Sequence, residues 1–265
     1  MSSIKITYFG TATVLIEIGG TRILTDPVFG PKGISATVLG IPCTTYFKLE
    51  DSKIKIEDIL PIDYILLSHD QHIDNLDNEG RKFFPNVKRI FTTLAAAQRI
   101  GANSIGLSDF QSTSLKLANG DNLEITATPC RHGPPLSLPI VGSVIGFLLD
   151  WKGHSNGPLY ISGDTVLFKG INEIGNRFKI DTALIHFGSA KTKATQCIHY
   201  TFSAQEGVKV AKLLNLKRVI PLHYDGWSHF SESKENIITC FREQGMEEKL
   251  LWLHPNQVQL VSLTP

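Results

Sequence analysis

Apolar and polar residues alternate from Ile4 to Phe9, and Gly10 breaks the run. Thr13-Val14-Leu15-Ile16-Glu17-Ile18 is β-branched and apolar. Gly19-Gly20 signals a hairpin, and Thr21 to Asp26 reads as the return strand, stopped by Pro27. Residues 27–60 carry Gly and Pro early and charges late, and read as a long, partly ordered loop covering a site. Tyr64-Ile65-Leu66-Leu67 is a short unbroken apolar run, as in a buried strand, and delivers Ser68-His69 at its C-terminal end.

Further along, Asp74 to Phe84 reads as a helix start or turn and Arg89 to Thr92 as a strand. Leu94 to Ile100 reads as a short helix stopped by Gly101. Leu123–Thr128, Val144–Leu149, Pro158–Ser162, Asp181–Phe187 and Arg218–Leu222 all have strand character. Ser203 to Leu214 is the clearest helix. Ser203 caps it, Glu206 takes the capping-box position, and Val208, Val210, Ala211 and Leu214 form an apolar face. Ser233 to Gln244 is a last helix, stopped by Gly245. No linker or repeat interrupts this order. It predicts one α/β domain over 1–265, with two sheets flanked by helices.

Composition changes this picture little. The 265 residues are 42% hydrophobic and 19% charged, enough to bury a large core. A formal charge of +1 with no long basic run argues against a nucleic-acid partner. Cys43, Cys130, Cys197 and Cys240 are scattered and form no CxxC pair. With no leader-like start and no apolar run near the roughly 20 residues of a membrane span, a reduced cytoplasmic compartment is the expectation. A homo-oligomer is compatible with the composition.

The candidate chemistry sits just after four of the strand-like runs. Tyr64–Leu67 leads to His69, Leu123–Thr128 to His132, Leu159–Ser162 to Asp164 and Arg218–Leu222 to His223. Sites in α/β folds gather at the carboxyl ends of strands. Imidazole and carboxylate together suit zinc, iron or manganese, whereas an all-oxygen set suits calcium or magnesium.

Ser68-His69-Asp70-Gln71-His72-Ile73-Asp74-Asn75-Leu76-Asp77 resembles the HxHxDH motif of the metallo-β-lactamase superfamily. Thr128-Pro129-Cys130-Arg131-His132-Gly133, Ser162-Gly163-Asp164-Thr165 and Ile220-Pro221-Leu222-His223-Tyr224 resemble its later ligand motifs, in the same order. Tyr8 to Thr13 and Leu24-Thr25-Asp26-Pro27 extend the likeness over nearly the whole chain. Within the superfamily the sequence is most similar to the branch of ascorbate-phosphate lactonases and N-acylphosphatidylethanolamine phospholipase D enzymes. The resemblance implies a four-layer αββα sandwich with a site at one edge of its sheets. It also implies one or two Zn2+ ions (with Mn2+ or Fe2+ as alternatives) held by His69, His72, Asp74, His132, Asp164 and His223. A metal-activated hydroxide would then hydrolyse a small ester, lactone or phosphodiester. Asp164 would bridge the ions, and Asp74 would orient the hydroxide and bind the second ion.

The first motif departs from the pattern in two places. One extra residue, most simply Gln71, separates His69 from His72. Either the backbone bulges and His69 ligates, or Asp70 takes the first position and His69 supports it. Asn75 stands where the family has a histidine on the second ion, and a carboxamide is a weaker ligand. Downstream, Tyr224 to Phe230 reads as pocket lining, with His229 a catalytic candidate to protonate a leaving group or bind phosphate. His199 is a similar pocket candidate. His186 ends a strand and could face the site but is assigned to packing, as is Cys130; Asp26 is assigned to hydrogen-bonded support of the site, and His154 and His254 to the surface. Two alternatives are a nucleic-acid phosphodiesterase of the same fold and a non-catalytic metal-binding protein. Oxidoreduction at a di-iron site is disfavoured, because no flavin-binding domain accompanies the motifs.

Overall fold

The computed structural model describes residues 3–52, 54–101, 103–152, 156–195 and 197–262. The chain opens as a meander of β1 (Ser3–Gly10), β2 (Thr13–Ile18) and β3 (Thr21–Thr25). The 27–60 segment carries a small hairpin, β4 (Ser35–Thr37) and β5 (Thr45–Phe47), which the turn-rich sequence did not announce. Next come β6 (Tyr64–Leu66), helix α1 (Asn78–Arg81), β7 (Arg89–Thr93), α2 (Leu94–Ile100) and β8 (Ser104–Leu107). The second half begins with β9 (Ser112–Lys116), β10 (Asn122–Pro129), α3 (Leu138–Val141), β11 (Ile145–Trp151) and β12 (Leu159–Ile161). It continues with α4 (Lys169–Arg177), β13 (Thr182–His186), α5 (Ala204–Leu213), β14 (Arg218–Leu222), α6 (Lys234–Arg242) and β15 (Val258–Ser262).

These strands form two large mixed sheets. The first runs β15-β1-β2-β3-β6-β7-β8 and the second β14-β13-β12-β11-β10-β9. Strands β3, β6, β7 and β8 are mutually parallel, as are β12, β13 and β14. The period-2 pattern decides which face each side chain takes. Ile4, Ile6, Val14, Ile16, Ile23 and Leu66 point between the sheets, where they meet Ile125, Phe147, Leu149, Ile161 and Leu184. Leu15, Leu24, Ile65 and Ile90 point the other way, into a layer with Phe29 and Phe83. On the far side of the second sheet, Leu148, Tyr160, Ala183 and Ile185 pack against Ile171 and Ile174 of α4, Val208 and Val210 of α5, and Ile237 and Phe241 of α6. The architecture is the expected αββα sandwich.

Neither α4 nor the strands β8, β9 and β15 carry a clear pattern in the sequence. Helix α4 holds two glycines, Gly170 and Gly175, which lower helix propensity, and only Ile171 and Ile174 are apolar along its buried side. Strand β9 buries Leu115 alone, and β15 exposes Val258 and Leu260, so neither edge strand carries a clear alternation. Helix α5 begins as expected. Ser203 Oγ accepts from Glu206 N at 3.2 Å, and Glu206 Oε2 accepts from Ser203 N at 3.2 Å.

Gly207 of α5 faces the ring of fully buried Phe187, and a Cβ there would lie 2.2 Å from that ring. Alanine normally favours a helix over glycine by about 1 kcal/mol. Overpacking against a trapped ring costs about 1–3 kcal/mol. Gly207→Ala is therefore expected to destabilise, lowering the thermal melting midpoint by a few degrees despite its better propensity.

Candidate metal centre

The strands deliver their polar ends to one edge of the sandwich. Beyond β6, Ser68 N donates to Asp26 Oδ1 at 2.7 Å, and Ser68 O accepts from Ile145 N at 3.1 Å. Asp26 thus ties the start of the histidine segment to β3, the supporting role its position suggested. Gln71, the extra residue, turns outward. Its Oε1 accepts from Asp70 N at 2.9 Å and its Nε2 donates to Ser143 O at 3.3 Å. This local loop lets His69 and His72 face the same point, with His69 Nε2 3.3 Å from His72 Nδ1.

His132, three residues beyond the end of β10, brings its Nε2 to 3.1 Å from the same His72 nitrogen. Its Nδ1 lies 2.8 Å from the Tyr200 carbonyl, which can only accept. Nδ1 therefore carries the proton, and Nε2 presents a lone pair. Ser68 Oγ lies 2.9 Å from His69 Nδ1, which leaves His69 Nε2 for the cluster. Asp70 points elsewhere. Its carboxylate is held by Arg99 at 2.9 Å (Nε to Oδ2) and 2.5 Å (Nη2 to Oδ1). Of the two arrangements left open for this segment, the geometry places His69 in the cluster and Asp70 in an ion pair. Accordingly, Asp70→Asn is expected to retain bound metal, whereas His69→Ala weakens it by at least about tenfold. Metal content of the purified variants checks this.

A second group abuts the first. Asp74, Asp164 and His223 are all buried and bring one donor atom each within 4.8 Å of one another. His223 Nε2 is 3.3 Å from Asp74 Oδ2, and His223 Nδ1 is 3.6 Å from Asp164 Oδ1. Asp164 stands between the groups, its Oδ2 4.0 Å from His69 Nε2. His223 adopts φ 56 and Asp26 φ 32, strained values for residues with a Cβ, and both sit at strand ends aimed at this edge. The His223 amide, donating to Thr11 O at 2.7 Å, fixes that turn.

Electrostatics separate the two groups. Burial holds the His69 ring well below its ordinary range, with His72 adding to the effect. Burial and the neighbouring His132 push His72 down to about 4. Burial also lowers His132. All three are neutral donors near neutral pH. Burial works against ionisation of Asp74 and Asp164, yet both stay well below the usual carboxylate range. For Asp74 the opposing partners are His229 and His223; for Asp164 they are the His223 charge and the His186 hydrogen bond. His223 is the counterpart. Burial opposes its charge, but Asp164 and Asp74 hold it up to about 9.

This is a donor set that suits a divalent ion. Several of its polar atoms are buried without a hydrogen-bond partner: Asp74 Oδ1, His223 Nδ1 and Nε2, His186 Nε2, His229 Nδ1 and both amide atoms of Asn75. Buried polar groups are almost always satisfied. Asp74 and His223 atoms left without partners, in a set that mixes imidazole and carboxylate, fit a cation of the zinc, manganese or iron type.

His72, Asp74, His132 and Asp164 line a narrow pocket of about 70 Å³. Tyr46, Val38 and Thr44 line it from the 27–60 segment, Ile140 and Val141 from α3, and Lys191, Thr192 and Tyr200 from the loop after β13. His229 lines it too, its Nε2 3.1 Å from Asp74 Oδ2. Other candidates fall outside. His199 pairs with Glu206 at 2.9 Å. Cys130 donates its thiol to Ser162 O at 3.2 Å, as a packed residue. His254 is exposed, and His154 lies outside the described residues. His186, assigned to packing, stacks on His223 at 5.4 Å between ring centroids and also lies 3.0 Å from Asp164 Oδ1 through its Nδ1. It stands at the C-terminal end of β13, the kind of position that marked the other candidate residues. Tyr46, Lys191 and Tyr200 carried no comparable signal, because irregular segments bring them in.

An αββα sandwich with abutting groups of histidine and aspartate at one sheet edge defines the class: a two-sheet protein built around a metal-ligating edge. The chain belongs to the family described as the Beta-lactamase superfamily domain, matched over residues 21–224. It is 26% identical over 257 residues to a UPF0173 metal-dependent hydrolase of Korarchaeum cryptofilum, covering 96% of this chain and 98% of that one. An N-acyl-phosphatidylethanolamine-hydrolyzing phospholipase D of Caenorhabditis elegans is 27% identical over 242 residues, 84% of this chain and 64% of that protein. The isothiocyanate hydrolase from Delia radicum gut bacteria superposes with a TM-score of 0.78 at 21% identity, over 98% of this chain and all of that one, a likeness of fold. Among the described residues, no helix is long and apolar enough to cross a membrane.

Proposed function

We propose that the chain is a metal-dependent hydrolase of a small ester, lactone or phosphodiester, with zinc as the working metal. The observation that carries this reading is the convergence of His69, His72 and His132 beside Asp74, Asp164 and His223, four of which, His72, Asp74, His132 and Asp164, line an open pocket. The names of the UPF0173 and phospholipase relatives support hydrolysis and, for the latter, a phosphodiester. When bound, divalent ions at such a site generate a nucleophile from water near neutral pH and polarise the electrophile. The protein's own groups do the rest. Buried Asp74 and Asp164 hold negative charge facing the cluster, and the carbonyl of Tyr200 fixes the tautomer of His132. Lys191 places a cation beside the pocket, suited to an anionic leaving group, while Val38, Ile140 and Val141 give it apolar lining.

The test is metal analysis of the purified protein together with activity screens on lactone and bis-aryl phosphodiester substrates. Stoichiometric zinc, and hydrolysis that disappears in His132→Ala, are the expected results. Protein that binds no divalent metal would overturn the reading.

A further inference from the structure

Asn75 leaves the second group without a fourth histidine or carboxylate donor. The group of Asp74, Asp164 and His223 offers three ligands, whereas a tetrahedral ion takes four, or three and a water. Asn75 is fully buried, and neither amide atom has a hydrogen-bond partner. A different residue reaches the group instead. His229, six positions beyond His223, brings its Nε2 to 3.1 Å from Asp74 Oδ2. His223 Nε2 lies 3.3 Å from that same oxygen. Two imidazole nitrogens therefore converge on one carboxylate oxygen.

The spacing fits a shared ion. Donors held at about 2.0–2.1 Å around a tetrahedral ion are separated by roughly 3.3–3.4 Å. Within the first group the nitrogens are separated by 3.3 and 3.1 Å. The pairs around Asp74 Oδ2 repeat that spacing. The His229 ring is also fixed in place: it packs against Tyr46 at 4.3 Å and Phe230 at 4.5 Å between ring centroids. Such packing positions a ligand without using its nitrogens.

We infer that His229 is a ligand of the second ion and takes over the donor position left empty by Asn75. The inference rests on the metal-hydrolase reading above and replaces the proton-donor role that the sequence suggested for His229. A ligating imidazole has no proton at Nε2 to give. The centre then holds two ions, one on His69, His72 and His132 and one on Asp74, His223 and His229, with Asp164 between them.

The experiment counts ions rather than turnover. Wild type, His229→Ala, Asn75→Ala and the double variant Asn75→His/His229→Ala are loaded with cobalt(II) or zinc. Each is then measured by native mass spectrometry and by titration of the cobalt absorption bands, with circular dichroism to verify folding. The expected result is two ions in wild type and in Asn75→Ala. His229→Ala should keep one ion and bind the second more than about 100-fold more weakly. The double variant, with a histidine restored at 75, should recover the second ion, a rescue that a misfolded protein would not show. His229→Ala that binds two ions with wild-type affinity overturns the inference, as does wild type that binds one. Loss of the second ion from Asn75→Ala would assign the fourth position to Asn75 and overturn it equally. Wild type that binds no ion at all would instead remove the underlying hydrolase reading.

Discussion

Asp164→Asn is expected to lower turnover by about 10³-fold or more while leaving the protein folded. Asp164 sends its Oδ2 toward His69 at 4.0 Å and its Oδ1 toward His223 at 3.6 Å, and so stands between the two groups. A neutral carboxamide in its place removes a full negative charge from a buried site. Electrostatic support of that kind is worth several kcal/mol of transition-state stabilisation, and each 1.36 kcal/mol off or on the barrier is tenfold in rate. Asparagine is chosen over alanine because of His186. Its Nδ1 lies 3.0 Å from Asp164 Oδ1, and a carboxamide oxygen can still accept that hydrogen bond. Alanine would orphan a buried imidazole and add about 1–3 kcal/mol of destabilisation to the result. The measurement is kcat and KM on whichever substrate the screens identify, with a thermal melt alongside. The loss is expected in kcat, since Asp164 lies at the pocket floor rather than on its walls. An Asp164→Asn enzyme with more than a tenth of wild-type kcat would show that Asp164 does not join the two groups.

How much of this centre could be read from the chain depends on the kind of element that carries each residue. His132, Asp164 and His223 follow strand-like runs, alternating before His132 and continuously apolar before the other two, so the strand ends that carry them were legible. The same rule marks His186 at the end of β13, whose buried ring packs on His223 and also meets Asp164. The histidine segment was legible in content but not in conformation. Whether His69 or Asp70 faced the cluster turned on Arg99, a residue on α2 that pairs with Asp70 from 29 positions away. The pocket walls were largely illegible. Tyr46 comes from a three-residue strand in a segment rich in turn formers, and Lys191 and Tyr200 from a loop. No periodicity marks any of them. Helix α4 was invisible for a related reason: tertiary packing of two isoleucines outweighs the poor propensity contributed by Gly170 and Gly175.

Stripping divalent metal with a chelator is expected to abolish hydrolysis and lower the thermal midpoint by about 8–16 °C. The estimate follows from mass action. Ligand present at a thousandfold excess over its dissociation constant stabilises the native state by about 4.1 kcal/mol, and each kcal/mol moves the midpoint of a chain this size by about 2–4 °C. The metal-free protein still folds in this account, because the site carries its own substitute for a cation. Asp74 and Asp164 hold the buried His223 ring up to about 9, so near neutral pH an imidazolium sits between two carboxylates. The loss on chelation is therefore the binding free energy of the ions and not the collapse of an uncompensated charge cluster. Differential scanning calorimetry with and without chelator checks the midpoint. Reloading with zinc, manganese or iron, each followed by an activity measurement, identifies the metal that restores turnover. A melting curve unmoved by chelation, with hydrolysis intact, would mean that the histidine and aspartate groups hold no working metal and that their convergence serves only the fold.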